Sequence, residues 1–346
     1  MKPETEKLCQ DFISNRDAVE KAFRWDNSAL HTVCANIFCA HGKTADTERL
    51  EKCRKIIRSA TGFRSKFRSR KVRSILAAML SLEDQPEDRM TQANAYFRLL
   101  RRQFKGSEYL VLTAFLLADL ADQVLTEETI SRGKEIYARM NRQHRMLTDK
   151  TDSVFAMLMA FSGKTADELT GETETCYQAL KKKFSSGGSQ TAAQILSMAG
   201  GTPEEKTQRV SALYDALHEA EIEYGHSSEL APLAALSLAD TPLSVLTEEI
   251  KEADEFLKTQ NGFRGSKDDD RAQRAMYAVM IVSDQYAGTE QVNITVMTNT
   301  IDMLIAKQQA SRISLFMNLL QFAVKLLPEE KEQPEGEQKQ DNAPAE

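Results

Sequence analysis

Two kinds of helical segment alternate along this chain with a period close to 40 residues, and that alternation limits the fold more than any other feature. One kind places an aromatic or bulky residue three positions before Leu or Met. It occurs at Phe97–Leu100, Tyr137–Met140, Tyr177–Leu180, Tyr214–Leu217 and, in degenerate form, Asp254–Leu257, in steps of 40, 40, 37 and 40. Between these lies a more apolar kind, over 31–40, 74–82, 110–118, 154–162, 192–200, 233–240 and 275–283. A hairpin of one apolar and one amphipathic helix cannot bury its own apolar face, so such units come in series and complete a core between neighbours. The expected fold is all-α, an α-solenoid of six or seven stacked helical hairpins. Its period is nearer the HEAT/armadillo range than the tetratricopeptide one.

Breakers fall where this scheme needs turns: Gly106, Gly163, Gly187-Gly188, Gly200-Gly201, Gly225 and Gly288. Thr202-Pro203-Glu204-Glu205 has the form of a capping box with Pro in the first turn, and Thr126 heads a weaker start. One helical domain is expected over 1–327, closed by a buried apolar helix at 312–327. Residues 328–346 lack aliphatic bulk and read as a disordered polar tail. Only 15 Gly and 8 Pro in 346 residues disfavour an all-β or Gly-rich nucleotide-binding architecture.

Location and charge follow from composition. The N-terminus is polar, no run of apolar residues is long enough to span a bilayer, and five cysteines form no regular framework. These features predict a cytoplasmic protein with free thiols. The net charge of -6 hides an asymmetry: residues 1–150 hold 28 Lys+Arg against 20 Asp+Glu, the remainder 17 against 31. The basic half is the expected anion-binding surface.

Several phrases carry a resemblance: Phe23-Arg-Trp-Asp26, Ala60-Thr-Gly-Phe63 leading to Ala77-Ala-Met-Leu-Ser-Leu82, Ser107-Glu-Tyr-Leu110, and Leu213-Tyr-Asp-Ala-Leu217. Over roughly residues 8–310 the chain resembles a family of bacterial, mostly Gram-positive, proteins of unknown function. The resemblance implies a cytoplasmic bacterial protein and supplies no catalytic residues.

Reaction chemistry leaves little mark. None of the nucleophile-elbow, phosphate-loop, zincin or dinucleotide motifs occurs, and no cofactor is implied. His31, Cys34, Cys39 and His41 are zinc-type ligands, but without a C-x-x-C pair they read better as core residues of the first apolar helix. Glu248-Glu249 reads as a solvated pair.

Basic residues carry more. From Lys52 to Leu82 there is no acid, and Arg64, Lys66, Arg68, Arg70 and Lys71 lie in the 54–73 segment with Phe63 and Phe67 interleaved. Such a pattern suits single-strand binding, against the plainer view of a solvated loop with both rings in the core. Five positions after successive aromatic anchors stand Arg102, Arg142 and Lys182, a basic ladder if the hairpins stack. Helix C-termini favour such cations in any case. The leading functional expectation is an interaction scaffold that holds an acidic protein segment on Arg102, Arg142 and Lys182. Nucleic-acid or polyanion binding through 54–73 is the alternative, and an enzyme with a dispersed site the third.

Overall fold

The computed structural model of this chain describes residues 1–70, 72–118, 126–148, 152–160, 162, 164–227 and 229–286. Among the described residues there are fourteen α-helices and no strand. They run as seven consecutive pairs: α1 (Pro3–Ala22) with α2 (Ser28–Ala40), α3 (Thr47–Ser59) with α4 (Arg73–Leu80), α5 (Pro86–Leu100) with α6 (Glu108–Leu117), α7 (Glu127–Gln143) with α8 (Asp152–Ala160), α9 (Ala166–Leu180) with α10 (Ser186–Met198), α11 (Pro203–Glu219) with α12 (Leu230–Leu236), and α13 (Leu243–Thr259) with α14 (Asp268–Gln285). Each helix packs on its partner. Every aromatic-anchor segment lies in an odd-numbered helix and every apolar segment overlaps an even-numbered one.

The two kinds are buried differently, for the reason their composition gives. All nine residues of α8 and all seven of α12 are buried, as is α2 from Leu30 to Phe38. A helix apolar on every side must be surrounded, so the even helices lie inside. The odd helices bury one stripe, as α7 does with Ile130, Gly133, Ile136 and Met140, and they lie outside. Successive outer helices are tied by a ring that the turn after one helix sends to the next. Phe67 meets Phe97, Phe104 meets Tyr137, His144 meets Tyr177 and Phe184 meets Tyr214, with centroids 4.4 to 6.1 Å apart. Such pairs contribute about 0.5–1.5 kcal/mol beyond their buried area.

An open stack leaves its first and last units apart. Here α1 packs on both α13 and α14, and α2 packs on α14. The same device makes this junction: Phe263, in the turn after α13, sits 6.3 Å from Phe12 of α1 and 5.3 Å from Tyr277 of α14. Arg16 lies over the Phe263 ring and donates from Nη1 to the Asn261 carbonyl at 2.8 Å. Lys2 Nζ pairs with Glu249 at 2.6 Å, and the α-amino group with Glu252 at 3.1 Å. Glu249, read from sequence as solvated, is instead buried and also accepts from Tyr286 and Gln285.

The carbonyls at the C-termini of the inner helices have no intrahelical donors, and cations from the outer helices satisfy several of them. Arg49 donates to Ser81 and Glu83 carbonyls, Arg132 to those of Ser162 and Lys164, and Arg209 to those of Ser237, Ala239 and Thr241. Behind α10 two lysines do this work. Lys164 and Lys206 reach carbonyls between Leu196 and Ala199, and Glu172 holds both ammonium groups. At the same end the outer helices begin on Asp46, Thr126, Thr165 and Thr202, the last two with complete capping boxes.

Two further expectations change. Gly187-Gly188 is not a turn but the first turn of α10, capped by Ser185. A Cβ on Gly188 would stand 2.0 Å from the Ser227 carbonyl oxygen, so the close approach of the α11–α12 loop to the start of α10 requires glycine there. The phrase Gly-Phe-Arg, which stands at 62–64 and again at 262–264, has opposite fates: Phe263 is buried, whereas Phe63, expected in the core with Phe67, is 89% exposed and Phe67 alone occupies the core in its loop. Lys71, the closing segment 312–327 and the tail 328–346 lie outside the described residues. Phe263→Ala is expected to cost about 3–5 kcal/mol of unfolding free energy and Phe63→Ala less than about 0.5 kcal/mol, as read by chemical denaturation.

Candidate functional site

The turns that lead from outer to inner helices gather at one end of the hairpins, and the first five are together strongly basic. Their described parts (23–27, 60–70, 101–107, 144–148 and 181–185) hold 12 Lys and Arg against one Asp. That Asp26 is already held by Arg73 and Ser74. The inner helices start at this end, so their positive macrodipole ends add to the field.

A cleft of about 410 Å³ opens here between the turn after α3 and the end of α5. Ser65 caps a short 3₁₀ turn (Lys66–Arg68) that drives Phe67 into the core against Phe97. This fixes Arg64 and Lys66 on one wall, with Arg98 and Arg101 of the α5 end on the other. Asn94 and the Phe97 ring complete the lining. Lys66 pairs with Glu108 at 3.3 Å across the exposed rim. Arg64, Arg98 and Arg101 have no carboxylate partner among the described residues, and the Arg101 guanidinium lies over Phe97. Guanidinium groups without a carboxylate partner around one cleft can form bidentate bonds to phosphate or carboxylate oxygens.

The remaining sequence-derived cations have other placements. Arg68 donates to the carbonyls of Arg58 and Thr61, tying off the end of α3. Arg70 donates to the Trp25 carbonyl at 3.2 Å, joining the first two turns. Arg102 is paired with Glu127 of the next outer helix at 2.8 Å, with both side chains exposed. Arg142 and Lys182 are exposed at the ends of α7 and α9. Arg98 and Arg101 were missed in the sequence. The signal available was their offset of one and four residues from the Phe97 anchor, on the end of the helix that follows the basic segment.

A larger cleft of about 600 Å³ lies at the junction of first and last hairpins, beside Arg16, His31, Arg264, Asp270 and Tyr277. Its cations are engaged. Arg16 holds Asp17, Arg264 donates to the Thr259 carbonyl, and Arg274 pairs with Asp254. His31 Nε2 donates to the Phe23 carbonyl at 3.0 Å. Among the described residues no three His, Cys, Asp or Glu side chains converge for a metal, and no helix is long and apolar enough to cross a membrane.

Burial raises the cysteine pKa values, that of Cys9 to about 12 and those of Cys53 and Cys176 to about 11, while Cys34 and Cys39 are pushed higher still. In the folded protein at about pH 8 a thiol reagent is expected to label none of the five at the rate of a free cysteine. Rapid labelling of all five is expected once denaturant is added. Fast native labelling of Cys34 contradicts its placement in α2.

No match was found among curated proteins, and none among solved structures. A sequence profile described as "Protein of unknown function (DUF4003)" matches residues 15–310. That match covers most of the chain, which therefore belongs to the DUF4003 family of unknown function.

Proposed function

We propose that this chain is a docking scaffold in which α-solenoid-type hairpins stack and close on themselves as a ring, with a basic end that holds a partner bearing clustered anionic groups. One observation carries the reading: Arg64 and Lys66 share a cleft with Arg98 and Arg101, three of them without a carboxylate to neutralise them. Cations left unpaired around a concavity favour an anion far more than isolated surface charges do. The partner chemistry is a phosphate or carboxylate cluster, as in an acidic protein segment. The site moves from the ladder of Arg102, Arg142 and Lys182 to the cleft, because Arg102 already has Glu127.

A continuous nucleic-acid strip along 54–73 is less favoured. Arg68 and Arg70 are spent on backbone carbonyls and Arg54 lies over the Phe23 ring, so three of the segment's cations are already engaged. The reading is tested with a soluble polyanion, polyglutamate, by titration at rising salt. Binding is expected to weaken steeply with salt, and Arg64→Glu with Arg98→Glu to weaken it at least about tenfold without changing the unfolding midpoint. An unchanged affinity in the double variant overturns the placement.

A further inference from the structure

The basic end also carries three of the four large apolar side chains that are exposed among the described residues. The four are Met1, Trp25, Phe63 and Met146. Met1 belongs to the chain terminus at the opposite end. Trp25, Phe63 and Met146 are 77%, 89% and 100% exposed, and stand in the turns α1–α2, α3–α4 and α7–α8. Each has an arginine beside it in the chain, namely Arg24, Arg64 and Arg145. The Arg24 guanidinium lies 4.4 Å from the centroid of the Trp25 ring. Leaving three such side chains in water forgoes the burial each could gain. Their companions of the same turns, Phe23, Phe67 and Leu147, lie in the core or against it.

The spacing of the three selects the partner's shape. They belong to the first, second and fourth hairpins, so they do not follow one groove as anchors for a peptide or a single strand would. Points on three hairpins at one end, with the third hairpin lying between the second and the fourth, span a face, and the surface that meets it must be broad. Beside each point is a cation, so the same surface must be apolar within and anionic without. A bilayer leaflet with anionic headgroups has both properties: Trp and Phe favour its interface, and each Lys or Arg near it adds to the attraction.

We propose that this end docks on the surface of an anionic phospholipid bilayer, with Trp25, Phe63 and Met146 entering the interface and the cleft of Arg64, Lys66, Arg98 and Arg101 holding headgroup phosphate. The inference rests on the anion-binding reading of that cleft and names its partner. Trp25 is the single tryptophan of the chain, so its fluorescence reports insertion directly.

The full chain is mixed with vesicles of phosphatidylcholine alone, and with vesicles of equal parts phosphatidylcholine and phosphatidylglycerol. Co-sedimentation and a blue shift of Trp25 emission are expected only with the second. Phe63→Ser combined with Met146→Ser is expected to lower affinity for those vesicles at least about tenfold, with the unfolding midpoint unchanged because both side chains are exposed. Unshifted Trp25 emission, or wild-type vesicle binding by that double variant, overturns the proposal. Polyglutamate and a single-stranded oligonucleotide separate the two levels. Binding of either that depends on Arg64 and Arg98, without vesicle binding, retains the anion cleft and removes the bilayer. Binding to none of the three probes removes both.

Discussion

The structure depends on the need to surround helices that are apolar on every side. Each of the inner helices is buried along most of its length, and one outer helix covers only part of it. The rest must come from neighbouring hairpins, so any series of such units has two unsatisfied ends. Terminal capping helices are one solution. Packing the first hairpin on the last is another, and Phe12, Arg16 and Lys2 make that junction with Phe263, Asn261 and Glu249. The aromatic step from turn to outer helix has the same form there as at the internal junctions, so closure uses no new kind of contact.

Closure has an electrostatic consequence. When hairpins share one sense, the starts of the outer helices collect at one end and their C-termini at the other. The capping carboxylates and first-turn acids, such as Glu127, Glu128, Asp167, Glu168, Glu204 and Glu205, then gather opposite the basic turns. Ordinary complementarity to the helix macrodipole accounts for much of this segregation. It does not account for the unpaired cations of the cleft, or for Trp25, Phe63 and Met146 beside their arginines. Those features are what the proposed binding surface at the basic end rests on.

The hairpins were legible because helical periodicity is a local property: each anchor and each apolar segment lies in the expected helix. Closure was not. A repeat written in sequence looks the same whether its ends are open or joined, and the one phrase shared by early and late loops misleads. Phe63 and Phe263 share their immediate neighbours Gly and Arg, yet Phe67 fills the core position in the first loop and Phe263 itself in the last. The cations that cap the inner helices were also overlooked, since Arg132 and Arg209 resemble solvated charges. Yet both stand five residues before an anchor tyrosine, with Glu172 in the same register, and that recurrence was available. The ladder of Arg102, Arg142 and Lys182 was visible by spacing, but the partner of Arg102 was not, because Glu127 lies 25 residues on, beyond the inner helix α6.

Hydrogen–deuterium exchange of the Phe12→Ala variant tests closure most directly. With the first hairpin packed on the last, loss of the Phe12 ring is predicted to speed exchange in α13 and α14, more than 200 residues away in sequence, as well as in α1. The amides of α7 and α9, on no part of that junction, are predicted to keep wild-type protection. Faster exchange confined to α1, α2 and α3, with α13 and α14 unchanged, would contradict the closed arrangement.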